Sequence, residues 1–511
     1  MKWEELRQTD KKVGGLACEE ALDGGSCGEC VTVLRTAGQS ENRRSPWHQR
    51  AERMTNRKFG NRRVALKMGG AALVGLTVPG MPRSSSGESG ALRTSIPQIM
   101  SFVLVFLNGG LSHIDSFDVK PGAPESVRSA FAAIDTAVPG VQYSEHVPLL
   151  AQRAGKYALV RSMSHGDPGH PSATHKVITG TTLPNLPENV GIDKHAGRDD
   201  FPCYAAAVSR FRPDLSATTL GGVHLPAYIR GAFNWPGQNG GFLGPRHDPL
   251  QLYNAGDNFD YRQEDFRLRP QVSVDRLAQR RTLLTQFDQE RRTWEQHRVT
   301  RAYSDYQDRA YATLDNPRLA DAFDLDRESD TLRERYGKHA FGQSLLLARR
   351  LVGAEVPVVQ ANLMGWDTHV NGFNTLSNTL LPPFDRALAA FLDDMQDHNL
   401  LEQTLVVVTG EFGRTPKIKV EPGYKVAGRD HWPHVYSAIY FGGGVQGGQV
   451  IGASNRLGAY PDSNPFTPYD MGATIYHAFG IDPTHEVVDQ ERNRRFPLSR
   501  GIPMRALYTA S

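Results

Sequence analysis

An aspartate and a histidine stand two residues apart in the stretch NLMGWDTHVN, residues 362–371, directly after the apolar run VPVVQANL. A carboxylate and an imidazole at the end of a buried strand are donors for a divalent metal, and ligands of open α/β sheets sit where the strands stop. The same pair, Asp367 and His369, can equally hydrogen-bond within a loop. Four further segments concentrate chemistry-bearing side chains. NGGLSHIDSFD offers Asn108, His113, Asp115 and Asp118, and TGEFGRTP offers Glu411 and Arg414 among glycines that let backbone approach a ligand closely. GRDHWPH places Arg429, Asp430, His431 and His434 within seven residues. SHGDPGHPSATHKVITG contributes His165, His170, Ser172 and His175. Loops this dense in titratable groups serve metals, proton transfer or substrate, the alternatives being a surface polar loop and a structural Glu411–Arg414 ion pair.

These loops need a scaffold, and the flanking residues supply one. MSFVLVFL (100–107), YALVR (157–161), VPVVQANL and TLVVV (404–408) are short apolar, β-branched runs of the kind that form buried parallel strands. FGQSLLLARRLVG (341–353) reads as a helix. In PFDRALAAFLDDMQDHNL the helical spacing of Phe384, Leu388, Phe391, Leu392 and Met395 gives one packing face, with Asp393, Asp394 and Asp397 expected toward water. The alternation of strand and helix argues an α/β domain. Residues 262–336, rich in Arg, Gln, Asp and Leu, read as a helical insertion.

The chain has 511 residues and a net charge of +3, but 16 basic and 10 acidic residues fall in 1–100, so the remainder carries a net −3. A near-neutral body without a basic stripe gives no reason to expect nucleic-acid binding. Cys18, Cys27 and Cys30 precede the body and only Cys203 lies within it, which excludes a disulfide framework there. From Met54, a basic stretch with Arg62-Arg63 runs into an apolar segment of about 12 residues, too short to span a bilayer, where about 20 are needed. It resembles a twin-arginine export signal and implies a periplasmic or cell-surface destination. Residues 1–53 read as a disordered or misannotated leader, 54–95 as signal and Ser/Gly-rich spacer, and 96–511 as one domain. No other segment reaches membrane-spanning length.

The ordered series NGGLSHIDSFD, HPSATHKVITG, GWDTHVNGF, GEFGRTP and GRDHWP, ending in GATIYHAFGID, resembles the exported bacterial proteins grouped as domain of unknown function 1501, which are similar in turn to the alkaline phosphatase and sulfatase superfamily. The resemblance implies a three-layer αβα sandwich, alkaline phosphatase-like, with a metal site at the carboxyl ends of the strands. It carries over residue by residue with departures. Asn108 stands where the superfamily has a metal-binding Asp, with Asp115 and His113 nearby. His170 occupies the nucleophile position, and Thr174 replaces an Arg. Asp367 matches a metal Asp whose partner His is here Asn371, so His369 fills in. Glu411-Phe412 replaces an Asp-His pair, and His431 matches the last metal His.

What this implies is an exported, metal-dependent hydrolase of small phosphate or sulfate esters. Asp367, His369, Glu411 and His431 surround one divalent ion, Zn or Mn rather than the oxygen-preferring Ca. His170 acts as nucleophile or general base, His165 assists proton transfer and Arg414 holds the anion. The alternatives are a non-catalytic binding or scaffold protein on a degenerate version of the fold, favoured by Asn371, Phe412 and His170, and a metal-dependent transferase or isomerase.

Overall fold

A computed structural model describes residues 96–216, 220–253 and 316–509, together with the pairs 275–276, 279–280 and 282–283. The leader, the arginine pair with its apolar segment, and most of the expected helical insertion lie outside the described residues.

The central sheet is built from eight strands: β1 Ser101–Leu107, β2 Ala158–Met163, β3 Val223–Leu225, β4 Leu250–Gln251, β5 Val358–Leu363, β6 Thr404–Thr409, β7 Tyr436–Phe441 and β8 Val450–Ile451. Their spatial order is β8-β2-β7-β6-β1-β5-β3-β4. All run parallel except β7, which is antiparallel to both β2 and β6. The helices used below are α1 Pro148–Gln152, α2 His170–Thr179, α3 Tyr204–Phe211, α4 Pro317–Ala322, α5 Asp330–Tyr336, α6 Ala340–Gly353, α7 Leu381–Asp397 and α8 Pro468–Ala478. Of the insertion expected over 262–336, the described residues include α4, α5 and the helical residues 275–276, 279–280 and 282–283.

β1 shows why there are three layers. All seven of its residues are buried, and successive side chains point to opposite faces. Val103, Val105 and Leu107 pack with residues of α1, α6 and α7, whereas Phe102, Leu104 and Phe106 pack with α2, α3 and α8. A strand covered on both faces must be apolar throughout, which is how its sequence reads.

Register then sets the site. β1 pairs with β5 from Phe102↔Val358 to Leu107↔Leu363, and with β6 from Ser101↔Thr404 to Phe106↔Thr409. The three strands end level, so the loops that begin at Asn108, Met364 and Gly410 leave the sheet side by side. Because β7 runs the other way, it is its entry loop, carrying His431, that reaches this rim. β2 delivers residues 164–169 there, and α2 opens at His170 with a proline in its first turn and closes at Gly180 in the left-handed conformation.

One expectation for α7 is corrected. Asp394 does not face water: it is buried, accepting hydrogen bonds from the Tyr336 hydroxyl at 2.7 Å and Arg349 Nε at 2.8 Å. The apolar spacing of α7 describes its contact with the sheet but not the second contact with α5 and α6. Asp393 pairs with Arg153, Lys156 and Arg335. Among the described residues no helix is long and apolar enough to cross a membrane.

Candidate metal centre

The loops at this rim touch backbone to backbone. Gly109 has φ +115°, and a Cβ there would stand 2.3 Å from the Asp367 amide nitrogen. Its own N–H donates to both oxygens of Glu411, at 2.9 and 3.1 Å. A Cβ on Gly428 would lie 2.1 Å from the His369 carbonyl, so the loop carrying His431 can lie against the one carrying Asp367. Arg414, completely buried, binds the loops together. Its Nε donates to the Gly110 carbonyl, Nη1 to that of Arg429, and Nη2 to those of Gly109 and Trp366. Nη2 also reaches Asp367 Oδ1, at 2.6 Å.

Three imidazoles converge on that carboxylate. His369 Nε2 and His431 Nε2 stand 3.0 and 3.1 Å from Asp367 Oδ1, and 2.9 Å from each other. His170 Nε2 is 3.3 Å from Oδ2, buried and not aligned to hydrogen-bond with it. The opposite nitrogen of every ring is tied to an oxygen: His170 Nδ1 to Glu411 Oε1 at 2.6 Å, His369 Nδ1 to Asp430 Oδ1 at 2.9 Å, and His431 Nδ1 to the Pro168 carbonyl at 2.8 Å. A carbonyl or carboxylate accepts, so the proton belongs on Nδ1 and Nε2 is turned inward, as in metal sites where an outer oxygen fixes the ligand tautomer. Trp235 stacks on His170 with ring centres 5.2 Å apart and planes at 14°, and Phe412 contacts both His170 and His431.

Two Nε2 lone pairs at 2.9 Å repel, so a cation must stand between them. Without metal it is a proton. Burial acts to lower the His170 pKa, but the Asp367 carboxylate beside Nε2 and the Glu411 carboxylate bonded to Nδ1 outweigh it and carry the pKa up to about 9. His369 is raised by its bond to Asp367 against the effect of burial, whereas burial lowers His431. Burial would raise Asp367, yet the three imidazoles and Arg414 hold it far below the usual carboxylate range.

Two overlapping sets of these donors, His369 with His431 and Asp367, and His170 with His431 and Asp367, are each close enough to share a divalent ion. Edges of 2.9 to 3.3 Å compare with about 3.3 Å between ligands of a tetrahedral ion with 2.0–2.1 Å bonds. The donor atoms of His170, Asp367 and His431 all lie within 4.8 Å of one another. His369, Glu421 and Asp430 also approach each other, but Lys419 Nζ bonds both carboxylates, at 2.8 and 2.9 Å, making that group an ion-pair cluster.

A family model described as "Protein of unknown function (DUF1501)" matches residues 100–507. The chain belongs to the DUF1501 family. No curated protein matches its sequence. Solved structures similar to this DUF1501 chain include the PsFucS1 sulfatase from Pseudoalteromonas sp., at 12% identity over 75% of this chain and 68% of that one, with a TM-score of 0.34. The phosphonate monoester hydrolase SpPMH from Silicibacter pomeroyi is 12% identical over 81% and 77%, with a TM-score of 0.32. Alkaline phosphatase from the Antarctic bacterium TAB5 is 12% identical over 75% and 99%, with a TM-score of 0.31.

Of the residues singled out from sequence, Asp367, His369, His431 and His170 come together in this DUF1501 protein. His170 faces the centre as a fourth donor. Glu411 stands one bond behind it, fully buried, with its oxygens on His170 Nδ1 and the Gly109 amide. Arg414 is not available to an anion, because all three of its nitrogens donate to protein. His165 is engaged on both sides: Nε2 donates to the Glu411 carbonyl at 2.6 Å, Nδ1 accepts from the Asp167 amide, and burial lowers its pKa to about 4.

The segment after Gly110 contributes no donor to the group. His113 turns Nε2 to the Gly458 carbonyl, and Asp115 is held by Arg429 at 2.8 and 3.1 Å and by Ser112 at 2.5 Å. Asp118 pairs with Lys120. The Asn108 side chain is buried, its Nδ2 without a hydrogen-bond partner among the described residues. Two contributors escaped the sequence reading of the site. Asp430 adjoins His431 and was visible as part of that polar cluster, but the Pro168 carbonyl and the Trp235 ring carry no sequence signal.

Proposed function

We propose that this DUF1501 chain is a metal-dependent hydrolase of small phosphate or sulfate esters, with His170, His369, His431 and Asp367 holding one divalent ion, Zn or Mn. The observation that carries the reading is the common orientation of three imidazoles, each anchored through Nδ1 to an oxygen and each presenting Nε2 to one carboxylate. Such an ion supplies a Lewis acid for the ester oxygen and brings the pKa of water near neutrality. Glu411, Asp430 and the Pro168 carbonyl fix the planes of the three rings. The Asp367 side chain is 47% exposed, so a small ester reaches the centre from solvent. Arg414 offsets the charge of Asp367 and shapes the rim rather than touching substrate.

The Ser172 hydroxyl, on the first turn of α2, and the core thiol Cys203 are poor nucleophiles. Ser172 Oγ donates to Asp167, and burial pushes the Cys203 thiol up to about 12. This favours attack by water over attack by a side chain. The Arg62-Arg63 leader supports export of the folded chain by the twin-arginine route, a further part of this reading.

A second reading has its own observation. Arg414 and the protonated imidazoles neutralise Asp367 without any metal, which suits a non-catalytic binding protein. Elemental analysis of the full chain purified from cytoplasm, followed by assays with 4-nitrophenyl phosphate and 4-nitrophenyl sulfate, separates the two. The hydrolase reading expects one bound ion, turnover of at least one ester, and loss of both in His369→Ala. Metal-free, inert protein sinks it in favour of the second.

A further inference from the structure

Resting on that reading, we infer that the buried ion pair Asp167–Lys176 is the positioning device that sets the metal affinity of the centre. Its two side chains are 2% and 1% exposed and meet at 2.9 Å. Removing two charges from water is costly, and such a pair adds little net stability over an apolar replacement. Its place in the chain shows what else it does. Asp167 lies in the loop between β2 and α2, immediately before Pro168, whose carbonyl orients His431, and three residues before His170.

The carboxylate is a hub for every segment on that side. Its Oδ1 accepts from the Gly169 amide at 3.2 Å, the Gly191 amide at 3.2 Å and the Ser172 hydroxyl at 2.8 Å, while Oδ2 takes Lys176. Ser172 in turn accepts from the Ile192 amide at 3.0 Å, and Lys176 donates to Asn189 Oδ1 at 2.8 Å. The strand exit, the first turn of α2 and the 189–192 strap are thus tied to one charged pair. Gly169 and Gly191 pack so closely that a Cβ on Gly169 would stand 2.6 Å from the Gly191 Cα. Two of the three inward-facing imidazoles take their orientation from this loop: His170 directly, and His431 through Pro168. His369 is held from elsewhere, by Asp430.

The test compares the full-length chain with the neutral double variant Asp167→Asn/Lys176→Met, which avoids leaving an unpaired buried charge. Lys176→Arg preserves the pair. A control, Arg349→Met/Asp394→Asn, neutralises a buried pair between α6 and α7. Zinc affinity is read by competition with a chromogenic chelator, folding by thermal melting, and the His431 Nδ1–H by nitrogen-15 NMR of the chelator-treated chain. The neutral double variant is expected to melt cooperatively, bind zinc about tenfold or more weakly, and lose protection of the His431 Nδ1–H. Lys176→Arg and the control should bind as the parent does. Parent-like zinc affinity in Asp167→Asn/Lys176→Met overturns the inference. If the parent itself binds no zinc while the variant still frees the His431 proton, the hydrolase reading and the link to metal affinity fail, and only the pair's orientation of His431 stands. An unchanged His431 signal in that case removes both.

Discussion

Replacing His170 by Asn and following stability against pH tests the electrostatics of the metal-free centre. Asn keeps a donor toward Glu411 but never carries charge. In the folded chain the His170 pKa is raised from 6.5 to about 9 by Asp367 and Glu411, against the effect of burial, a difference of about 3 kcal/mol between the two protonation states. With 14% of the side chain exposed, solvent screening removes little of it. The depressed pKa of Asp367 expresses the same contact from its partner's side and is not added. The folded-state value lies above the unfolded one, so the stabilisation is fully present below pH 6.5 and is lost as pH rises through 9. Urea unfolding of chelator-treated chain should therefore show a pH-dependent gap between parent and His170→Asn of about 3 kcal/mol at pH 6.5, about 0.4 kcal/mol at pH 9, and almost nothing above 10. A gap that is flat from pH 6.5 to 10, or that widens with pH, refutes the assignment of a proton to His170 Nε2 beside Asp367.

Two further outcomes follow from the packing. Gly109→Ala puts a methyl 2.3 Å from the Asp367 amide at φ +115°, which should cost about 2 kcal/mol or more and weaken metal binding, read by calorimetry and chelator competition; parent-like values in both would refute the close approach. Asp394→Leu leaves Arg349 buried with Glu328 as its remaining carboxylate and deprives the Tyr336 hydroxyl of an acceptor. It should lower unfolding stability by about 2 kcal/mol in urea titration while leaving zinc affinity unchanged.

The scaffold was readable because burial on both faces demands uninterrupted apolar runs, as in Val103–Leu107 and Thr404–Val408. The antiparallel sense of Tyr436–Phe441 was not, since a strand's residues do not record the direction of its neighbours. At the centre, composition disclosed where donors cluster but not which nitrogen or oxygen faces inward. Glu411 and His170 differ only in which is held one bond further back, and that depends on the Gly109 amide taking both carboxylate oxygens. His113 and Asp115 look as suitable as His369 in the sequence. Arg429, 314 positions away, claims Asp115 once the chain has folded. Asp394 shows the same limit, because a helix's apolar stripe is silent about a polar partner on another helix.

The span of chain between the groups that meet at the rim bears on how the protein is made. Glu411 lies 302 positions from Gly109 and 241 from His170, and His431 lies 263 from Pro168. Contacts of such separation form late, after the entropy of closing long loops has been met by the parallel sheet. An ion offered to the nascent polypeptide encounters only the Asp367–His369 pair as a local chelate, far too little to hold it. On the proposed metal-centre reading, loading would follow folding in this architecture, and refolding rate should be indifferent to zinc.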